Sequence, residues 1–141
     1  MSQMTSLYDR LGGLDAIVAV VDSAVARIAA DDRVNQKFAR TDVPRLKKEF
    51  GDQLCQATGG PCTYTGRSMR DTHAGMKVTG GEWDAFIEDI EATLEEFKVP
   101  ETEQKELLDL LLPLRGEIVE VESPDTRTPL PDSFRPAPPL S

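Results

Sequence analysis

Residues 59–73, GGPCTYTGRSMRDTH, decide the fold and the chemistry of this chain of 141 residues. Two glycines and a proline open the stretch, and this combination ends a preceding helix. The stretch closes on His73, which is the only histidine in the sequence. A single imidazole excludes sites that need two histidines, such as an HExxH zinc site. Three roles remain for His73: axial ligand to a cofactor metal, acid/base group, or passive side chain.

On both sides of this stretch, apolar residues recur at spacings of three and four, which is typical of helices. In one of these helices the apolar stripe is Val18, Val21, Val25 and Ile28. No segment alternates as a half-buried strand does, so the sequence predicts an all-α protein. The predicted helices run from about Gly13 to Ala30, from near Val43 to Gly59, from Ser68 past His73, from Gly80-Gly81 to Pro100, and from about Glu103 to Val121 with a kink or tight turn at Pro113.

Length and charge bound the class of protein. The length suits one compact domain, which we place at residues 1–122. The net charge of −9 argues against nucleic acid and anionic membrane surfaces as partners, because both attract basic patches. No apolar run approaches the ~20 residues that span a bilayer. We expect a cytoplasmic protein in a reducing setting, because no signal peptide is recognisable at the N-terminus.

The C-terminal residues differ in composition. Six of the ten prolines fall in Ser123–Ser141, without helical periodicity. We predict an extended or disordered tail over residues 123–141, passive rather than a proline-rich docking peptide.

The two cysteines, Cys55 and Cys62, are too few for a disulfide scaffold or, with one histidine, for a structural zinc site. We expect two free thiols, with a regulatory disulfide as the alternative.

Met69, His73 and Met76 share one face of the predicted short helix. A neutral imidazole among apolar side chains suits axial ligation of haem iron. The spacing alone favours a passive histidine, because a short apolar ridge is weak support for a metal site.

Three segments together resemble the group 1 truncated haemoglobins: SLYDRLGG at 6–13, GGPCTYTGR at 59–67 and MRDTHAG at 69–75. The resemblance covers roughly Ser6 to Val121. It implies a 2-over-2 helical sandwich around haem b, with His73 as the iron ligand. Within this fold, Arg67 and Lys48 would bind the haem propionates. The residues that the resemblance implies as haem contacts are Phe38, Leu46, Lys48, Phe50, Arg67, Met69, His73, Val78, Trp83 and Phe86.

The resemblance also shows where this chain departs from its family. Val25 stands where relatives place a tyrosine that bonds the ligand, and Phe50 where many have glutamine. The ligand pocket would therefore be Val25, Leu46, Phe50 and Leu54, unless Gln53 or Glu49 turns inward. A hydrogen-bond donor lengthens the residence of dioxygen by about tenfold to a hundredfold and helps carbon monoxide less. We expect weakened retention of dioxygen relative to carbon monoxide.

Three functions follow from the resemblance. The first is reversible binding of O2, CO or NO at a five-coordinate or water-bound iron, in a monomer or weak dimer. The second is a nitric oxide dioxygenase or weak peroxidase, which would need a reductase as partner and a long-lived dioxygen complex. The third is a helical interaction module without haem. The apolar pocket favours the first.

Overall fold

The regular structure is helical in the computed structural model, which describes residues 6–38, 41–64, 69 and 73–131. Among these residues an isolated bridge between Thr79 and Val121 is the sole strand-like pairing, and the all-α prediction is confirmed. The helices are α1 (Leu7–Leu11), α2 (Leu14–Ala30), α3 (Val43–Ala57), α4 (Gly80–Glu96), α5 (Glu101–Leu111) and α6 (Arg115–Ile118), with 3₁₀ turns at Asn35–Phe38 and Leu112–Leu114.

Local capping sets where α3 and α4 begin. The Asp42 carboxylate accepts a hydrogen bond from the Arg45 backbone N–H at 3.2 Å, and Pro44 lies in the first turn of α3, so the helix begins at Val43 as predicted. At α4, the Thr79 hydroxyl accepts from the Glu82 backbone N–H while the Glu82 carboxylate accepts from the Thr79 backbone N–H. This reciprocal cap, rather than the glycines alone, starts α4.

Pro113 divides the helix predicted over Glu103–Val121. Helix α5 ends at Leu111, Pro113 lies in the 3₁₀ turn, and α6 follows. The reason is that proline lacks the N–H that a continuous helix needs at that position. The short helix predicted from Ser68 falls largely outside the described residues. Of this segment the structure describes only Met69, His73 and the turn that follows His73.

The core forms where α2 packs against α3 and α4. Val21, Val25 and Ile28 of the predicted α2 stripe are buried, whereas Val18 is 49% exposed because it lies at the edge of the stripe. Ile17 is buried in its place. A second apolar cluster joins Met76, Trp83 and Ile118 to Leu130 near the C-terminus.

Residues 123–131, which belong to the predicted tail, pack against the helical domain. The Gly81 backbone N–H donates to the Ser123 oxygen at 2.9 Å, and a Cβ on Gly81 would lie 2.2 Å from the Pro124 oxygen. The segment approaches the start of α4 this closely because residue 81 is a glycine. Residues 132–141 lie outside the described part of the chain, and the domain boundary at residue 122 stays a prediction.

The cysteines are paired. Cys55, at the end of α3, and Cys62, in the loop after it, form a disulfide, so the prediction of two free thiols is wrong. Spacing along the chain could not reveal this pairing, because it depends on how the loop at Gly59 and Gly60 folds back on α3. The described helices include none that is both long and apolar enough to cross a membrane.

Candidate functional site

A cavity of about 290 Å³ lies between α2, α3, α4 and the α5–α6 region. This volume is close to the ~300 Å³ lower end of small-molecule pockets. The cavity brings together most of the predicted site residues, from distant parts of the chain. Those that line it are Val25, Phe38, Leu46, Phe50, Met69, His73, Trp83 and Phe86.

His73 is held in one tautomer. Its Nδ1 atom lies 2.8 Å from the backbone oxygen of Met69. A carbonyl oxygen only accepts, so Nδ1 carries the hydrogen and the lone pair lies on Nε2. Burial lowers the pKa of His73 below its usual value, and the Met69 hydrogen bond and the negative charge of Glu120 offset this in part. The lowered pKa favours the neutral imidazole, which is the state that ligates iron.

One wall of the cavity is apolar. Val25 of α2 is 5% exposed, and Leu46 and Phe50 lie four residues apart on α3, so they share one face. Phe86 of α4 connects this wall to the interior, with ring centroids 6.4 Å from Phe50 and 5.5 Å from Trp83. The aromatic rings of α3 and α4 thus form a continuous surface along the cavity.

The other edge of the cavity is polar and half-buried. Arg45, Glu49 and Gln53 follow one another at intervals of four residues on α3, and Tyr64 joins them from the loop. Arg45 Nε donates to Glu49 Oε1 at 3.3 Å. Burial raises the pKa of Tyr64, and the charge of Glu49 raises it further. Gln53 and Glu49 were named from the sequence as residues that could turn inward, whereas Arg45 and Tyr64 were missed.

A signal for both missed residues was present in the sequence. Arg45 and Glu49 have the i, i+4 spacing of a helical ion pair, and Tyr64 belongs to the glycine-rich stretch that precedes His73. Met76, Ile28 and Ile118 also line the cavity and were not named as cavity residues.

Three of the predicted residues that the structure describes are not on the cavity wall. Lys48 lies on a different side of α3 from the cavity, because it is two residues from both Leu46 and Phe50, which line the cavity. Its Nζ lies 2.7 Å from Asp52 Oδ2, and its side chain is 74% exposed. Val78 and Leu54 are buried in the two apolar clusters beside the cavity. Arg67 lies outside the described residues.

The chemistry of this site points to a metal carried inside an organic cofactor. Among the described residues no three His, Cys, Asp or Glu side chains are grouped to hold a bare ion. A lone neutral imidazole on an apolar, aromatic cavity instead suits an iron whose other ligands come from a macrocycle, and the polar edge suits the carboxylates that such a ring carries. A helical protein with this site has the characteristics of a haem-binding globin.

Comparison with known proteins gives the family. The bacterial-like globin family matches residues 6–120, and the chain belongs to it as a group 1 truncated haemoglobin with haem as its cofactor. A group 1 truncated haemoglobin of Tetrahymena pyriformis is 36% identical over 99 residues, which are 70% of this chain and 82% of that protein. One from a Synechocystis species is 37% identical over 102 residues, with the same shares covered.

Solved structures agree. The Fe(III) form of the Tetrahymena pyriformis protein matches with a TM-score of 0.78 at 32% identity, covering 82% of this chain and 98% of that one. The 2/2 haemoglobin of a Synechococcus species, solved in the cyanomet state with covalently attached haem, matches with the same TM-score and coverage at 30% identity. The predicted 2-over-2 fold is confirmed.

Proposed function

We propose that this globin binds a diatomic gas reversibly at a haem iron held by His73. The observation that carries the proposal is one cavity that joins His73, in its ligating tautomer, to the apolar side chains of Val25, Leu46 and Phe50. The haem iron supplies the position at which O2, CO or NO coordinates. The side chains around it determine how long each gas stays.

The apolar wall favours carbon monoxide over dioxygen. Val25, Leu46 and Phe50 have no N–H or O–H with which to stabilise the negative charge that dioxygen acquires on binding. One such hydrogen bond is worth about 1.5–3 kcal/mol, so its absence shortens the residence of dioxygen by about tenfold to a hundredfold. Carbon monoxide acquires little charge and loses less.

We assign the polar edge of the cavity to the haem carboxylates. Arg45 and Glu49 have side chains that are each 30% exposed, so this edge faces solvent, whereas Val25 is buried. A guanidinium at a half-exposed edge suits a carboxylate partner. Arg45 replaces Lys48 in this role, because Lys48 is paired with Asp52 away from the cavity.

The sixth iron position is open or water-bound in this proposal. His73 is the only histidine in the sequence, so a second imidazole cannot coordinate the iron. The two lysines nearest to the site along α3 are engaged in ion pairs: Lys47 Nζ lies 3.3 Å from Asp22 Oδ1, and Lys48 pairs with Asp52.

Absorption spectra of the purified protein test the role of His73. We expect a Soret band for the wild type, a ferrous form without an internal sixth ligand, and a shift on adding CO. His73→Gly should lose this ferrous spectrum, and added imidazole should restore it by filling the space left by the side chain. A wild-type spectrum retained in His73→Gly without imidazole would contradict the assignment, provided that circular dichroism shows the same helix content.

A further inference from the structure

The turn after His73 has an unusual backbone. Gly75 and Lys77 both have positive φ, at 87° and 58°. Lys77 carries a Cβ, for which this left-handed region is unfavourable, so other contacts must hold it there. Between them lies Met76, a buried residue that lines the cavity. The conformation of this turn therefore bears directly on the His73 side of the haem cavity.

Glu120 holds both residues. The Lys77 backbone N–H donates to Glu120 Oε1 at 2.8 Å, and the Gly75 backbone N–H donates to Oε1 and Oε2 at 3.1 and 3.2 Å. Backbone N–H groups bind a carboxylate more strongly than a neutral acceptor. One side chain, 47 positions further along the chain than His73, thus fixes the turn that follows His73.

Backbone pairing places Glu120. Its N–H donates to the Val78 oxygen at 2.9 Å, the Val121 N–H donates to the same oxygen at 3.1 Å, and the Gly80 N–H donates to the Val121 oxygen at 3.1 Å. These bonds anchor the backbone at Glu120 and at the following residue, Val121, beside the segment that begins at Val78, so the backbone places the Glu120 carboxylate next to the turn.

We propose that Glu120 is a positioning residue for the proximal haem ligand: it orients His73 through the backbone of residues 75–77, and its negative charge favours ferric over ferrous iron. The proposal rests on His73 as the ligand. The Glu120 carboxylate is held against the backbone of Gly75, two residues from His73, and a negative charge near the iron stabilises the more positive ferric state.

Two variants separate charge from geometry. Glu120→Gln keeps an oxygen that accepts from Lys77 and removes the charge, whereas Glu120→Ala removes both. We expect Glu120→Gln to raise the Fe(III)/Fe(II) midpoint potential. The rise should shrink as ionic strength goes from about 0.01 M to about 1 M, since the Debye length falls from ~30 Å to ~3 Å and Glu120 is exposed.

Glu120→Ala should in addition shift or broaden the iron–histidine stretching band in the resonance Raman spectrum of the ligand-free ferrous protein. The matched control is Glu117→Gln, which removes an equal charge on α6 three residues earlier and should change neither property. Equal potentials in wild type and Glu120→Gln, or equal rises in Glu120→Gln and Glu117→Gln, would overturn the charge effect. An unchanged Raman band in Glu120→Ala would overturn the orienting effect.

Failure of the underlying assignment gives a different result. If His73 were not the ligand, the wild type, which has no other histidine, would lack an iron–histidine band. If only the Glu120 proposal fails, the iron–histidine band is present in the wild type, is lost in His73→Gly and is unchanged in Glu120→Ala.

Discussion

Lys37 Nζ lies 3.9 Å from Glu82 Oε1, and the two side chains are 3% and 1% exposed. The ammonium also donates to the backbone oxygens of Met76, at 2.8 Å, and Pro129, at 2.9 Å. The carboxylate accepts from the backbone N–H and the hydroxyl of Thr128, at 2.9 and 2.6 Å. This buried pair thus ties the turn before α3, the start of α4 and the C-terminal segment together beside the haem cavity.

Breaking this pair should destabilise the protein strongly. Glu82→Ala leaves the Lys37 ammonium buried without its counter-charge, so we expect the free energy of unfolding to fall by about 3 kcal/mol or more. The measurement is denaturant unfolding of the haem-loaded protein, followed by circular dichroism. Replacing both partners, in Lys37→Met with Glu82→Leu, should cost less than Glu82→Ala alone.

The control for this prediction is Glu88→Ala, on the same helix. Glu88 pairs with Arg33 at 3.1 Å but its side chain is 61% exposed, so its loss should cost less than about 1 kcal/mol. Equal losses for Glu82→Ala and Glu88→Ala would show that the buried pair contributes no more than a surface one.

Opening the disulfide should weaken the protein moderately. Cys55 and Cys62 are separated by seven positions, and a loop of this size restricts the unfolded chain by about 2 kcal/mol. Cys62→Ser should therefore lower the free energy of unfolding by about that amount, and a dithiol reductant should have the same effect on the wild type. The reductant should not affect Cys62→Ser, and thiol titration of the unfolded, unreduced wild type should find no free thiol. Two titratable thiols there would contradict the pairing.

The contribution of Asp89 to stability should fall as the pH rises towards neutrality. Burial and, after it, the neighbouring Asp31 carboxyl together raise the pKa of Asp89 from 3.8 to about 7, against the opposing charges of Arg33 and Arg27. The folded state therefore keeps a proton that the unfolded state releases, so stability is lost as pH rises from 3.8 to about 7. A hydrogen bond from Arg33 lowers the pKa of Asp31 to about 2. Asp31 therefore stabilises the folded state above pH 3.8, and this stabilisation is lost only as the pH drops from 3.8 to about 2, outside the range in which Asp89 titrates.

The variant Asp89→Asn removes the titration at that position. We expect it to gain stability relative to wild type between about pH 4 and about pH 8, as measured by denaturant midpoints across that range. Asp84→Asn, an exposed change on the same helix, should follow the wild type. Parallel pH profiles for Asp89→Asn and wild type would count against a proton held at Asp89.

Adding a donor to the apolar wall should prolong dioxygen binding. Val25→Tyr, alone or with Phe50→Gln, should slow dioxygen dissociation by about tenfold or more in flash photolysis or stopped-flow mixing, with a smaller change for carbon monoxide. Gln53→Leu is the matched test of the polar edge and should change the rate by less than about twofold if Gln53 faces the haem carboxylates. A large acceleration in Gln53→Leu would instead assign the distal donor to Gln53.

Local patterns predicted the helices well because their causes are local. The stripe in α2, the start of α3 at Val43 and the break at Pro113 depend on residues within a turn or two of one another. The cavity was predicted in part: Val25, Phe50 and His73 meet in it, whereas Lys48 lies on another side of α3. A resemblance aligns positions along a chain, but the rotation of a helix sets which side chains reach the cavity.

The sequence by itself determined the helical class, the single histidine and the apolar side chains that surround it. Only the tertiary structure decided that Cys55 joins Cys62, that Glu120 holds the turn after His73, and that Lys37 meets Glu82 beneath residues 128–129. The Lys37–Glu82 and Glu120–Lys77 contacts join residues more than forty positions apart, and the disulfide closes a loop whose path depends on its packing. Their partners are chosen when the elements pack, because a charged or polar group that becomes buried must find a partner near it in space.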